Sequence, residues 1–424
     1  MPEAESRTRQ QRVYFWIVVS LAILYVIQAW SPIRLDNDSV VHLRAGSRLA
    51  DGLTADFPNS PLGYPKFLAI LDRLGLGSYA AFVLANCVFV GISIVCTHYL
   101  IRDRLPAGRY GWFVPLTLLT FPVIRYMPMV LPEVMFMAVA LLAVVAMTAA
   151  TTREAVMARI GFILTALALT VVAISLRIMG FVLVPPLLAT CFIAIGSGRT
   201  GQVVTKVSGR QVAIAAVTLI VLALVAFSFA DSLQRYAAET ALKYSNANPL
   251  LLLRGRALSI FWSAGALAVN LPPSRFWSFQ TWFIVAGFFA LLLALAIFRF
   301  RWARTPAGIY LASSIALLIL WPYNTLRLWL PIMPLLIAYI ETAELRFTPG
   351  RKWRAFTLAY IAAYAAAGLA SLAYTTRITF SGKDFPKVYG RNGGMAIPDS
   401  ATGRIDSLHN ARAKVLMERY GRPF

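Results

Sequence analysis

The sequence predicts an all-α polytopic membrane protein with about 11 transmembrane helices, and three observations carry that expectation. Hydrophobic residues make up 59% of the 424 residues and charged ones only 14%, whereas a soluble domain carries about 25% charged residues. Mean hydropathy is +0.67. The apolar residues also gather in runs close to the roughly 20 that a helix needs to cross the hydrocarbon core.

The first run, residues 13 to 30, follows a basic start at Arg7, Arg9 and Arg12. It is long for the apolar part of a signal peptide and ends in QAWSP without a small-x-small site, so it is expected to remain as an anchor. A long outer loop, 31 to 78, comes next. Within it, residues 39 to 50 set Val40, Val41, Leu43 and Leu49 among polar side chains, which predicts a short interfacial helix with Asp38 at its N-cap. PKFLAILDRLG predicts a second. Further spans are expected at 79 to 100, 112 to 124, 133 to 150, 160 to 176, 179 to 196 and 211 to 230. An outer loop at 231 to 276 opens with SLQRYAAETALKY, a third interfacial candidate. The last four spans are expected at 277 to 298, 308 to 322, 328 to 342 and 355 to 374.

A transmembrane domain, 1 to 374, thus leaves an extracytoplasmic tail, 375 to 424. The tail has a Gly/Pro-rich stretch and then RIDSLHNARAKVLMERYG, with Ile405, Leu408, Val415 and Leu416 near helical spacing. No soluble segment reaches ~70 residues, below which a lone core is marginal.

A net charge of +22 raises nucleic acid as a partner, but the positive residues have another explanation. They cluster in RDRLPAGR, TTREAVMAR, SGRTGQVVTKVSGR, RFRWART and ELRFTPGRKWR. With a cytoplasmic N-terminus, each of these is an inner loop and obeys the positive-inside rule. The C-terminus then lies outside, as do 31 to 78 and 231 to 276. Basic and aromatic residues do not interleave as nucleic-acid binding requires, so no nucleic acid is expected. Cys87, Cys96 and Cys191 fall inside apolar runs without metal-ligand spacing. His42, His98 and His409 stand singly, so no metal site is predicted from side-chain clusters.

Transporters place ionisable groups near mid-membrane. Here they gather at the outer ends of the spans instead: Asp36, Asp38, Arg125, Glu133, Arg177 and Arg327. Residues 308 to 322 would rise only ~22 Å as a helix, short of the ~30 Å core. A helix so short predicts a recess in the outer leaflet at NTLR, and SLR at 175 to 177 suits a second approach to it. A guanidinium there binds phosphate through a fork that matches two of its oxygens. The plainer alternatives stay open: arginines that snorkel to headgroups, an Asx-turn or helix cap at Asp36 and Asp38, and a Glu133 favoured by its helix dipole.

The first outer loop, DSVVHLRAGSRLADGLT and then PLGYPKFLAILDRLG, resembles that of the GT-C superfamily, the membrane glycosyltransferases that use polyprenyl-phosphate sugars. Protein O-mannosyltransferases and the aminoarabinose transferase of lipid A are members. The matches are Asp38, Ala45, Gly52 and Gly63-Tyr64-Pro65. His42 stands where Tyr is usual, and Asn37-Asp38 where many members have Asp-Glu or Asp-Ser. LPEVMFMAVALLAV resembles the superfamily's proline-acidic start of the fourth span. SLRIMGFVLVPPLLA resembles its Arg-x-x-Gly link, and LRLWLPIMPLLIAY its Arg-x-x-x-Pro-x-x-Pro span. The four pieces fall in order across residues 13 to about 342.

The resemblance implies an enzyme that transfers a sugar from a polyprenyl-phosphate donor to a hydroxyl of a glycan, lipid or protein acceptor, at the outer face and with inversion. Asp38 would be the general base, with Asp36 the alternative. Arg177 and Arg327 would bind the donor phosphate, and Glu133, His42 and Tyr64 would serve the acceptor or support the site. A divalent metal occurs in the superfamily, but nothing in these residues demands one. Two other functions compete: a flippase or exporter of a lipid-linked saccharide, which predicts polar residues in the inner half as well, and a non-catalytic scaffold. The Arg- and Ala-rich composition points to a GC-rich bacterial source and hence to the inner membrane.

Overall fold

The computed structural model describes residues 2–35, 37–55, 61–105, 111–196, 209–231, 248–272, 277–298, 305–321, 326–344 and 351–381, with parts of 233–241 and 415–421. The described residues form helices and no strands. In chain order these are α1 (Pro2–Ile27), the pair α2 (Asn37–Ala50) and α3 (Gly63–Leu71), α4 (Tyr79–Ile101), α5 (Phe113–Leu118), α6 (Phe121–Tyr126), α7 (Pro132–Thr152) and α8 (Val156–Leu176). They continue with α9 (Val184–Gly196), α10 (Gly209–Ser228), α11 (Pro249–Val269), α12 (Gln280–Phe298), α13 (Pro306–Leu320), α14 (Met333–Glu344) and α15 (Arg351–Ser381).

Among the described residues, five helical stretches are long and apolar enough to cross a membrane unaided: Gln11–Trp30, Tyr79–Arg104, Pro132–Thr152, Val156–Leu176 and Ala355–Phe380. Ile178–Ile193, Gln280–Leu293 and Pro306–Leu320 are apolar but shorter. The count of about eleven spans is therefore not reached by length alone. The reason is visible in the backbone. Residues 112 to 124 form two six-residue helices, α5 and α6, and residues 326 to 332 form a 3-10 segment ahead of α14.

α7 is the centre of the bundle, packed by α4, α8, α9 and the 326–332 segment. Its side chains are buried almost all round, from Pro132 to Ala150, as expected of a helix apolar on every face. The break between α5 and α6 leaves backbone groups that no lipid can satisfy. Asn270 supplies partners. It ends α11 in the left-handed conformation (φ 60) that Asn tolerates. Its Oδ1 accepts from Phe121 N at 2.7 Å, and its Nδ2 donates to the carbonyls of Leu119 and Tyr364, both at 2.9 Å. The Tyr25 hydroxyl donates to the carbonyl of Leu118.

Residues 231 to 276 are not simply a loop, because they contain the 21-residue helix α11. Hydropathy hides it, since Arg254 and Arg256 interrupt the apolar pattern. α11 packs along α12, where a Cβ on Gly265 would meet the Phe283 carbonyl and one on Gly287 the Phe261 carbonyl. Small residues permit such approach in membranes, where close packing is what joins helices. Gly287→Val is expected to cost ~1–3 kcal/mol through overpacking, read as a lower Tm in detergent.

Two ends of the bundle can be told apart. At one, Glu341 accepts from Trp112 N (2.7 Å) and Phe113 N (2.8 Å), satisfying the first amides of α5, and the Tyr14 hydroxyl donates to Gly111 O (3.1 Å). At the other, α2 and α3 lie across the helix ends. Arg34, fully buried, fixes the chain leading into α2: its Nε donates to Ser31 Oγ at 3.0 Å, and its Nη2 to Gln28 Oε1 at 2.7 Å and Thr379 Oγ1 at 2.8 Å.

Candidate functional site

Four charged residues meet at the α2–α3 end. Asp38 lies in the first turn of α2, which begins one residue before the predicted cap, and its Oδ2 accepts from Arg327 Nη2. Arg327 opens the 326–332 segment, and its Nε also lies 3.3 Å from Glu133 Oε1. Glu133 in turn pairs with Arg177 Nη1. These partners are 44 to 289 positions apart in the chain. The side chains grade from open to closed: Asp38 is 45% exposed, Arg327 18%, Arg177 15% and Glu133 1%. Asp38 therefore sits at the mouth of the cluster and Glu133 at its floor.

Local sequence explains each placement. Glu133 follows Pro132 in the first turn of α7, where the helix dipole favours a carboxylate. Arg177 is held by an extended backbone at the end of α8 (φ −152). Its N–H donates to Ala173 O at 3.0 Å, and its carbonyl accepts from Gly180 N at 2.8 Å. A Cβ on Gly180 would strike the backbone of Ile174, so Arg-x-x-Gly is a reversal only glycine permits. In the 326–332 segment, Pro331 has no amide hydrogen to continue an α-helix.

The α2–α3 pair completes the site. His42, one turn along α2, meets Tyr64 of α3 edge-on with ring centroids 5.4 Å apart. A Cβ on Gly63 would meet the carbonyl of Ser175, so glycine lets α3 approach the end of α8 beside Arg177. Gly46 does the same between α2 and α3, where a Cβ would lie 2.9 Å from Leu68 Cβ. Gly52 closes α2 with φ +75, the helix end that glycine favours.

The electrostatics follow from burial set against pairing. Partial burial raises the Asp38 carboxyl, but the Arg327 guanidinium, helped by His42 and Arg177, outweighs it and holds the group below the usual carboxylate value. Burial pushes the His42 imidazole down to about 4, against the pull of Asp38 and Glu133. Burial, with Glu133 nearby, raises the Tyr64 hydroxyl well above its ordinary value, so it stays a donor. An imidazole at about 4 in the fold and 6.5 when unfolded binds more protons unfolded. Its contribution to stability is therefore full above pH ~6.5 and is lost as pH falls toward about 4. The drop in Tm across that window is expected to shrink in His42→Gln.

Of the residues singled out in the sequence, Asp38, Glu133, Arg177, Arg327, His42 and Tyr64 are brought together. Asp36 lies outside the described residues. Arg125 does not join; it lies over the Tyr126 ring, 5.5 Å from its centroid. Sequence reasoning noted helical spacing in the tail but gave none of its residues a role. Arg419 pairs with Asp51 and Asp72, next to α2 and α3, and nothing in ERYG distinguishes that arginine from its neighbours. Among the described residues, no three His, Cys, Asp or Glu side chains gather as a metal site.

Among solved structures, the chain is similar to ArnT from Cupriavidus metallidurans in the apo state. The TM-score is 0.50 at 13% identity, over 97% of this chain and 89% of that one. The likeness is one of overall fold. The same ArnT bound to undecaprenyl phosphate gives a TM-score of 0.49 at 12% identity, over 96% and 89%. No family model and no curated protein matches the sequence. Of the residues that carry the sequence resemblance, Asp38, Glu133, Arg177 and Arg327 form the charged cluster, and Gly63 and Gly180 make close glycine contacts beside it.

Proposed function

We propose that this protein is a glycosyltransferase of a bacterial inner membrane, moving a sugar from a polyprenyl-phosphate donor to an acceptor hydroxyl at the outer face, with inversion. One observation carries the reading: two arginines and two carboxylates from four distant segments meet at one end of a GT-C-like bundle. In the step proposed, the acceptor oxygen attacks the anomeric carbon and its proton passes to Asp38. The bond from that carbon to the phosphate oxygen breaks, and its electron pair leaves with polyprenyl phosphate. The leaving group gains a negative charge, so cations serve it better than an acid. Arg177 and Arg327 supply planar forks for its oxygens.

Before the donor binds, Asp38 and Glu133 occupy both guanidiniums. A phosphate that takes Arg327 releases Asp38, whose carboxyl then rises because its burial is no longer offset. The base is thereby strengthened when the donor is in place. Glu133 Oε2 is buried without a hydrogen-bond partner among the described residues, which suits it to accept from a sugar or acceptor hydroxyl. Asp36 remains the alternative base. The flippase reading is not favoured, because among the described residues the ion pairs within the bundle converge at one end rather than along a path through both leaflets.

The test supplies purified protein with a panel of polyprenyl-phosphate sugars and follows polyprenyl phosphate release and the anomeric configuration of the product. Release from one donor with an inverted product is expected. Retained configuration, or no release from any donor, would overturn the proposal.

A further inference from the structure

The tail residues near Arg419 form a clasp on α2 and α3. Arg419 Nη1 and Nη2 donate to the two carboxylate oxygens of Asp51, each at 2.9 Å, and Nη2 also donates to Asp72 Oδ2 at 2.7 Å. The Tyr420 hydroxyl donates to the same Asp72 oxygen at 2.9 Å. The Tyr420 ring is buried, 5.6 Å from that of Phe82 on the membrane-crossing α4, and Leu416 is buried as well. Asp51 directly follows α2, and Asp72 directly follows α3. One guanidinium therefore joins the far ends of both helices, and the tyrosine beside it secures them to the bundle.

α2 and α3 behave mechanically as one body. Gly46 lets them pack closely, and Arg73 donates to the carbonyls of Leu49 and Ala50. Asp38 stands at the near end of that body, ~20 Å along the helix from Asp51 at 1.5 Å per residue. At the near end, Asp38 is tied to the bundle through its ion pair with Arg327. On the proposed function, donor phosphate removes that tie. The near end of α2 is then held by its buried apolar side chains, Val40 and Leu43, and by Arg34, and the far end by the Arg419 clasp.

We infer that Arg419 and Tyr420 are positioning residues, which hold α2 and α3 against α4 so that Asp38 stays aimed at the reacting carbon once phosphate has taken Arg327. The inference rests on the proposed transferase reading, yet the clasp has its own readout. Hydrogen exchange and turnover are measured in the full-length protein for Arg419→Ala, Arg419→Lys and Tyr420→Phe. Arg419→Ala is expected to speed exchange in 37–50 and leave 132–152 unchanged. Turnover should fall about tenfold at unchanged donor KM, since the phosphate-binding arginines are not on α2 or α3. Arg419→Lys should recover only part, because an ammonium cannot make the bidentate contact. Tyr420→Phe should fall between Arg419→Ala and wild type. Unchanged exchange in 37–50 would overturn the clasp. Faster exchange with full turnover, or a raised donor KM with a general loss of Tm, would overturn the positioning role. If wild type turns over no donor, the transferase reading and the positioning role fall together, while exchange still decides the clasp.

Discussion

Asp38→Asn is expected to lower turnover by about two orders of magnitude or more, the share that a positioned general base supplies. The amide keeps the shape of the side chain but cannot take the acceptor's proton. Donor affinity should hold or rise, because the substitution removes the carboxylate that competes with phosphate for Arg327. The Tm should stay near that of wild type, since the Asp38 side chain is 45% exposed. Release of polyprenyl phosphate, donor Kd and Tm measured together check all three points. Unchanged turnover would remove Asp38 as the base and leave Asp36 as the alternative.

Arg327→Gln should have the second largest effect, because that guanidinium faces both Asp38 and Glu133. Losing one charge-stabilising donor typically costs about 10²- to 10³-fold in turnover. It should also destabilise the fold by part of the ~3–5 kcal/mol that breaking a buried pair costs, since Glu133 keeps Arg177. Arg327→Lys separates the two effects, since it keeps a positive charge beside Glu133 but loses the planar fork for phosphate. Its Tm should stay near that of wild type while turnover stays low. Recovery of both would make Arg327 a structural counter-ion alone.

How much of this was legible in the sequence depended on the range of the interaction. Apolar runs are local, so the helices α2 and α3 and the long apolar helices α1, α4, α7, α8 and α15 could be read directly. The α5–α6 break could not, because the backbone groups it frees are satisfied by Asn270 and Tyr25, far away in the chain. α11 was hidden because Arg254 and Arg256 depress its hydropathy while its pairing with α12 depends on two glycines.

For the site, the identities of Asp38, Glu133, Arg177 and Arg327 were legible because charges at the ends of membrane spans need a reason. Their pairing was not, since sequence carries no distance between residues 38 and 327. Arg125 carried the same signal and lies apart, over the Tyr126 ring. Arg419 carried no signal, one of many arginines until its fit to Asp51 and Asp72 is seen.

The central claim is that Arg177 and Arg327 together form the donor-phosphate site. Its most direct test is the affinity of purified protein for undecaprenyl phosphate, compared among wild type, the Arg177→Gln/Arg327→Gln double variant and Arg125→Gln. The double variant is expected to bind at least about tenfold more weakly, from two lost charge-assisted contacts, with Arg125→Gln like wild type. Wild-type affinity in the double variant, or an equal loss in Arg125→Gln, would contradict the account.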